Sequence, residues 1–181
     1  MTKRTLTIQD LCLIGVITSV LVIMAQISIP MPIGVPMTMQ TFAVMLAGIL
    51  LSPRKGTLAV VIYLSLGAIG LPVFSNLTGG LQCLVGPTAG FLWSFPFMTW
   101  LIGLGTKYRS RYQGVFTLSL IVANTINLLC GAAFFSILQH VSFVAAAATC
   151  ILPFLPVTIL KIILAAMAGL NIRRRLSSIL R

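Results

Sequence analysis

Lys161 is the residue that most needs an explanation. It stands inside "LPFLPVTILKIILAAMAGL", residues 152–170, an otherwise apolar run of the length a membrane helix needs. A cation in such a setting is costly unless it is paired. The chain nevertheless holds a single acidic side chain, Asp10, near the other end of the sequence. A protein that buries a cation without supplying an anion leaves that place open for a ligand, and the simplest fitting ligand is a monocarboxylate. Other readings stand beside this one. Lys161 lies about eight residues, roughly 12 Å, from the start of its run at Pro153, so its side chain could snorkel toward the headgroups. The amine could also be uncharged in the empty protein, or it could pair with an acid on another subunit.

Other polar residues in or near apolar segments are candidates for the same site. Thr158 lies three positions before Lys161 and shares its helix face, although a threonine in a membrane helix commonly bonds its own backbone. Gln40 closes the stretch "SIPMPIGVPMTMQTF", stiffened by Pro30, Pro32 and Pro36. The loop "GLPVFSNLTGG" combines Phe74 with Ser75, Asn76 and Thr78. Uncharged polar groups beside an aromatic suit a ligand with a hydrogen-bonding ring and an apolar body. Such a loop can equally be an ordinary turn. Gly15 and Ser19 form a small-xxx-small spacing suited to close helix packing, either within the bundle or against another membrane subunit. His140 is expected at the membrane interface.

The elements that must position these residues follow from composition. Of 181 residues, 59% are hydrophobic and only 7% charged, against about 25% charged in soluble domains. The class is an all-α integral membrane protein, one bundle spanning residues 1–181. The continuous apolar runs do not alternate as the strands of a membrane barrel do. The formal charge of +11 falls in short clusters between apolar runs, without the basic stripe that nucleic acid needs. Cys12, Cys83, Cys130 and Cys150 form no CxxC pair, so they read as small buried apolar side chains. No HExxH, GxSxG or phosphate-loop motif occurs, and one carboxylate cannot support paired-carboxylate or metal chemistry. Neither enzyme activity nor a cofactor or metal is expected, and active transport would need energy from elsewhere.

Apolar runs and breakers predict six spans, at about 9–29, 39–51, 57–71, 84–104, 115–139 and 153–172. The N-terminal run could imitate a signal peptide, but it is long and no A-x-A site closes it. The second and third are short against the roughly 20 residues a bilayer requires. Charge supports them: with six spans, Lys3 and Arg4, Arg54 and Lys55, Lys107, Arg109 and Arg111, and Arg173, Arg174, Arg175 and Arg181 all fall on one side. The opposite connections hold no Lys or Arg. The positive-inside rule makes the charged side cytoplasmic, with both termini there. Lys161 alone has no topological role.

"VPMTMQTFAVMLAGILLSPRKGTLAVVIYLSLGAIGLPVF", "GPTAGFLWSF" and "LPFLPVTILKIILAA" resemble, in order, the BioY family of biotin-binding S components of energy-coupling factor (ECF) transporters. The resemblance spans nearly the whole chain. It implies a six-helix bundle in the plasma membrane of a prokaryotic-type cell, and capture of biotin from outside. It also implies uptake completed with a transmembrane coupling subunit and two cytoplasmic ATPases. Lys161 matches the lysine of the family's PF-P-G-D-x-x-K pattern, Gln40 the glutamine after its P-x-x-x-Q loop, and Phe74 its G-L-P-V-F turn. Val157 and Thr158 stand where the pattern has Gly-Asp, and "GPTAGF" replaces GPTGGY. A related vitamin or precursor such as dethiobiotin is therefore an alternative ligand.

Overall fold

The computed structural model describes residues 6–31, 34–112 and 114–179. Lys3, Arg4, Pro32 and Arg181 lie outside the described residues.

Helix α1 (Ile8–Gln26) opens on a capping box, Thr7 and Asp10 each bonding the other's backbone N–H. Its core-facing stripe is Ile14, Ile17, Thr18, Leu21 and Ala25, the spacing of one helix face. The proline-rich connection then forms a short antiparallel ribbon. In it β1 (Ser28–Ile29) pairs with β2 (Met37–Thr38), Ser28 facing Thr38 and Ile29 facing Met37. This ribbon ends the first helix at Gln26, three residues before the expected Ile29.

Helix α2 (Gln40–Leu50) has only 11 residues, about 16 Å of rise against a hydrocarbon core of about 30 Å. It is short because it is central: Gln40 and the run Ala43–Ile49 are buried, and neighbouring helices, not lipid, satisfy its surroundings. Helix α3 (Pro53–Ala68) starts with proline in its first turn, where the missing N–H costs nothing. The 69–88 connection carries a 3-10 turn at Ser75–Leu77 and the short α4 (Leu81–Val85). Gly86-Pro87 separates α4 from α5 (Ala89–Tyr108), since a residue before proline is held out of helical geometry. The fourth expected span is thus cut at its N-terminal end, with 84–85 assigned to α4.

Helix α6 (Val115–Gln139) packs closely on α5. A Cβ on Gly131 would lie 2.1 Å from the Phe91 ring, so only glycine permits this approach. The residues after His140 form a further helix, α7 (Phe143–Cys150), which turns Ala146 and Cys150 inward. Its eight residues of Phe, Val, Ala, Thr and Cys carry no span-length signal, so the sequence reads here as a connection. Helix α8 (Leu155–Ile179) completes the bundle.

All six expected apolar segments are helical, joined by two shorter helices and the ribbon. Among the described residues three helices are long and apolar enough to cross a membrane: Ile8–Gln26, Val115–Gln139 and Leu155–Arg175. The described basic residues Arg54, Lys55, Arg109 and Arg173 collect at one end of the bundle. Lys55 pairs with Asp10 there, and a Cβ on Gly103 of α5 would lie 2.7 Å from Pro53 Cα. At the same end Arg173 Nη1 donates to the Ile49 carbonyl at 2.5 Å. Asp10 is therefore committed far from Lys161.

Candidate functional site

At the other end, the loops are fastened by Gln26. Its Nε2 donates to the Phe74 carbonyl at 3.1 Å, and its Oε1 accepts from the Leu77 N–H at 2.9 Å. Ser28 Oγ donates to Asn76 Oδ1 at 2.7 Å, which ties the ribbon to the 70–80 loop. The ribbon and this loop sit over the N-terminal ends of α2, α5 and α8.

Beneath them lies a narrow cavity that opens outward; together with the open space at its mouth it takes up about 640 Å³. Val35, Pro36, Thr38 and Ser75 contribute from the loops, Gln40 and Thr41 from α2, and Thr88, Phe91, Leu92 and Phe95 from around the start of α5. Asn124, Asn127 and Leu128 come from α6, and Phe154, Thr158 and Lys161 from α8 and the turn before it. Phe91 and Phe154 stack with ring centroids 6.3 Å apart, giving the site a flat apolar wall.

Lys161 is 5% exposed, so it points into the bundle and does not snorkel. Its Nζ donates to the Thr38 carbonyl at 2.6 Å and to Thr41 Oγ1 at 3.3 Å. Both partners are neutral dipoles. Among the described residues no acidic group reaches it. Thr38 is also the start of a relay: its Oγ1 donates to Gln40 Oε1 at 3.0 Å, Gln40 Nε2 donates to the Tyr63 hydroxyl, and that hydroxyl donates to the Val73 carbonyl at 3.1 Å. Gln40 is thereby fixed with both ends of its amide engaged.

The structure brings Lys161, Thr158 and Gln40 onto one cavity. The Thr158 hydroxyl makes no hydrogen bond among the described residues, not even to its own backbone. The 70–80 loop divides differently from expectation. Ser75 lines the cavity, whereas Phe74, Asn76 and Thr78 do not. Phe74 is buried edge-on against Tyr63, with centroids 5.5 Å apart. Asn76 bonds Ser28, and Thr78 Oγ1 donates to the Ser75 carbonyl at 2.8 Å. Gly15 and Ser19 lie on the exposed face of α1, where Ser19 Oγ bonds the Gly15 carbonyl at 3.0 Å. His140 caps α6 in left-handed geometry and is exposed.

Sequence reasoning passed over Thr38, Thr41, Thr88, Asn124 and Asn127. The asparagines did leave a signal, two amides at i and i+3 inside an apolar helix. Thr38 left none, because its contribution to Lys161 is a backbone oxygen. Among the described residues no group of three or more His, Cys, Asp or Glu could hold a metal ion.

An inward lysine lines a cavity in a helical bundle, three of whose described helices are long and apolar enough to cross a membrane. The structure superposes on the crystal structure of the S-component for biotin from an ECF-type ABC transporter with a TM-score of 0.84 and 26% identity, covering 96% of this chain and 95% of that one. The chain belongs to the BioY family, whose model matches residues 1–178. The biotin transporter BioY of Thermotoga maritima is 36% identical over 165 residues, covering 88% of this chain and 93% of its own. Biotin transporter BioY2 of Lactococcus lactis is 35% identical over 172 residues, covering 94% and 93%. These relatives are named as transporters, and this family is not one of enzymes.

Proposed function

We propose that this chain is the S component that captures biotin at the outer face of a plasma membrane and hands it across the bilayer within an ATP-driven ECF transporter. Six spans with both termini cytoplasmic complete the reading. The described basic residues collect at one end of the bundle and the cavity lies at the other, so the positive-inside rule directs the cavity outward. Energy comes from a transmembrane coupling subunit and two ATPases, since the chain carries no phosphate loop.

The observation that carries the reading is Lys161, buried against two neutral acceptors and facing a cavity whose other walls are apolar or uncharged. Biotin offers the complementary chemistry: one carboxylate, an aliphatic chain and a ureido ring. Its carboxylate supplies the counterion the chain withholds, and Thr158, Gln40 and the neighbouring polar groups serve its uncharged parts. Phe74, Asn76 and Thr78 act at one remove, by shaping the loop that presents Ser75.

Thr158 supports keeping dethiobiotin as a second ligand, because the aspartate of the family pattern is absent at that position. An assembly subunit in which Lys161 pairs with a partner's acid is disfavoured by the lysine's burial inside its own bundle. Calorimetric titration of biotin into the detergent-purified chain tests the proposal. Micromolar or tighter binding with thermal stabilisation is expected, and absence of both would remove the ligand assignment.

A further inference from the structure

We propose that Asn124 and Asn127 are the paired acceptors that read the two N–H groups of a cyclic urea, and so set which ring the cavity admits. The inference rests on the substrate class proposed above and adds residues to it.

Both side chains are nearly inaccessible, Asn124 at 3% and Asn127 at 2% exposed, and both line the cavity. Their amide nitrogens are already spent. Asn124 Nδ2 donates to the Leu120 carbonyl at 2.8 Å and to Met45 Sδ at 3.3 Å. Asn127 Nδ2 donates to the Phe91 carbonyl at 3.1 Å and to Ser94 Oγ at 2.6 Å. A carbonyl can only accept, so each amide must turn its nitrogen toward that partner and its oxygen away. Neither Oδ1 has a hydrogen-bond partner among the described residues. Both buried side chains line the same cavity, and their acceptor oxygens, fixed in orientation and without a protein partner, are not sealed off from it.

Their chemistry narrows the ligand. The donors they await are neutral, because Lys161 borders the same low-dielectric space and repels a cation. Residues at i and i+3 project from one helix face with Cβ atoms about 5–6 Å apart. That spacing suits two donors diverging from one small ring better than a single hydroxyl. Phe91, whose carbonyl orients Asn127, also presents its ring beside Phe154 as a surface for a flat group. The cavity thus separates two tasks, an anion at Lys161 on α8 and a pair of N–H donors at α6.

The test varies ligand and protein together. Biotin, dethiobiotin, their ureido N-methyl derivatives and biotin amide are titrated into the purified wild-type chain and into Asn127→Leu. Methylation of a ureido nitrogen should weaken binding to wild type by about tenfold or more, because a site built around a donor rejects its absence. Asn127→Leu should bind the parent ureas correspondingly less tightly and lose most of that discrimination, while still preferring the acid over the amide. Methylated and parent compounds binding wild type equally would overturn the inference and leave the proposed function standing. If neither parent urea binds, both fall. The ligand comparison on wild type can overturn the inference even if the variant does not fold.

Discussion

Lys161 Nζ lies 2.6 Å from the Thr38 carbonyl oxygen, a contact that joins α8 to the ribbon across 123 residues of sequence. The lysine is thereby held at the mouth of α2 before any ligand arrives, with its charge met by dipoles alone. On the proposed function, a carboxylate entering the cavity would meet a pre-positioned cation and lose little conformational freedom on pairing.

Lys161→Ala should therefore weaken biotin binding by about thirtyfold or more, since truncating one partner of a desolvated ion pair costs roughly 2–5 kcal/mol. The folded state should suffer far less, because removing a buried unpaired charge is often neutral or stabilising. Titration and thermal denaturation of the same sample check both halves. On wild type, biotin amide should bind more than about tenfold more weakly than biotin. Equal affinity for acid and amide would show that Lys161 does not hold the carboxylate.

Tyr63→Phe removes the hydroxyl between Gln40 and Val73 and leaves the buried Gln40 Nε2 unpaired. The expected loss is about 1–3 kcal/mol of stability, read as a lower unfolding temperature in detergent. Affinity should fall as well, since the freed Gln40 borders the cavity. A variant as stable as wild type would mean the relay contributes nothing.

Gly131→Ala drives a methyl into the ring of Phe91. Overpacking of this kind costs about 1–3 kcal/mol, and here it also disturbs the Phe91–Phe154 wall. Stability and ligand affinity should decline together. Unchanged affinity in a destabilised variant would show that the wall does not touch the ligand.

Topology can be read from intact cells carrying single cysteines on a cysteine-free background. Cysteine at His140 should react with an impermeant maleimide added outside, and cysteine at Arg109 only after the membrane is opened. The reverse pattern would invert the proposed orientation.

Local chemistry made much of this molecule legible before its folding was known. The apolar runs became helices because hydrophobic length and the Gly/Pro breakers act on the segment that carries them. Lys161 stood out for the same reason, as a charge that no local rule explains. Even the isolation of Asp10 was readable, since its place beside the first basic residues assigns it to the charged end. The ends of elements were less legible: the ribbon that stops α1 at Gln26 depends on pairing with a strand eight residues further on.

What only the tertiary structure decided is which groups share the cavity. Phe74 and Ser75 are neighbours in one loop, yet the space beside Tyr63 takes the ring and leaves the hydroxyl for the site. Asn124 and Asn127 gain meaning only when carbonyls of α5 and α6 turn their nitrogens away and their oxygens are left to the cavity. The oxygen nearest Lys161 belongs to the backbone of Thr38, and every residue type has such an oxygen. Residue type specifies what a side chain can do. Only packing specifies which backbone groups, a hundred or more residues distant, are left for it to meet.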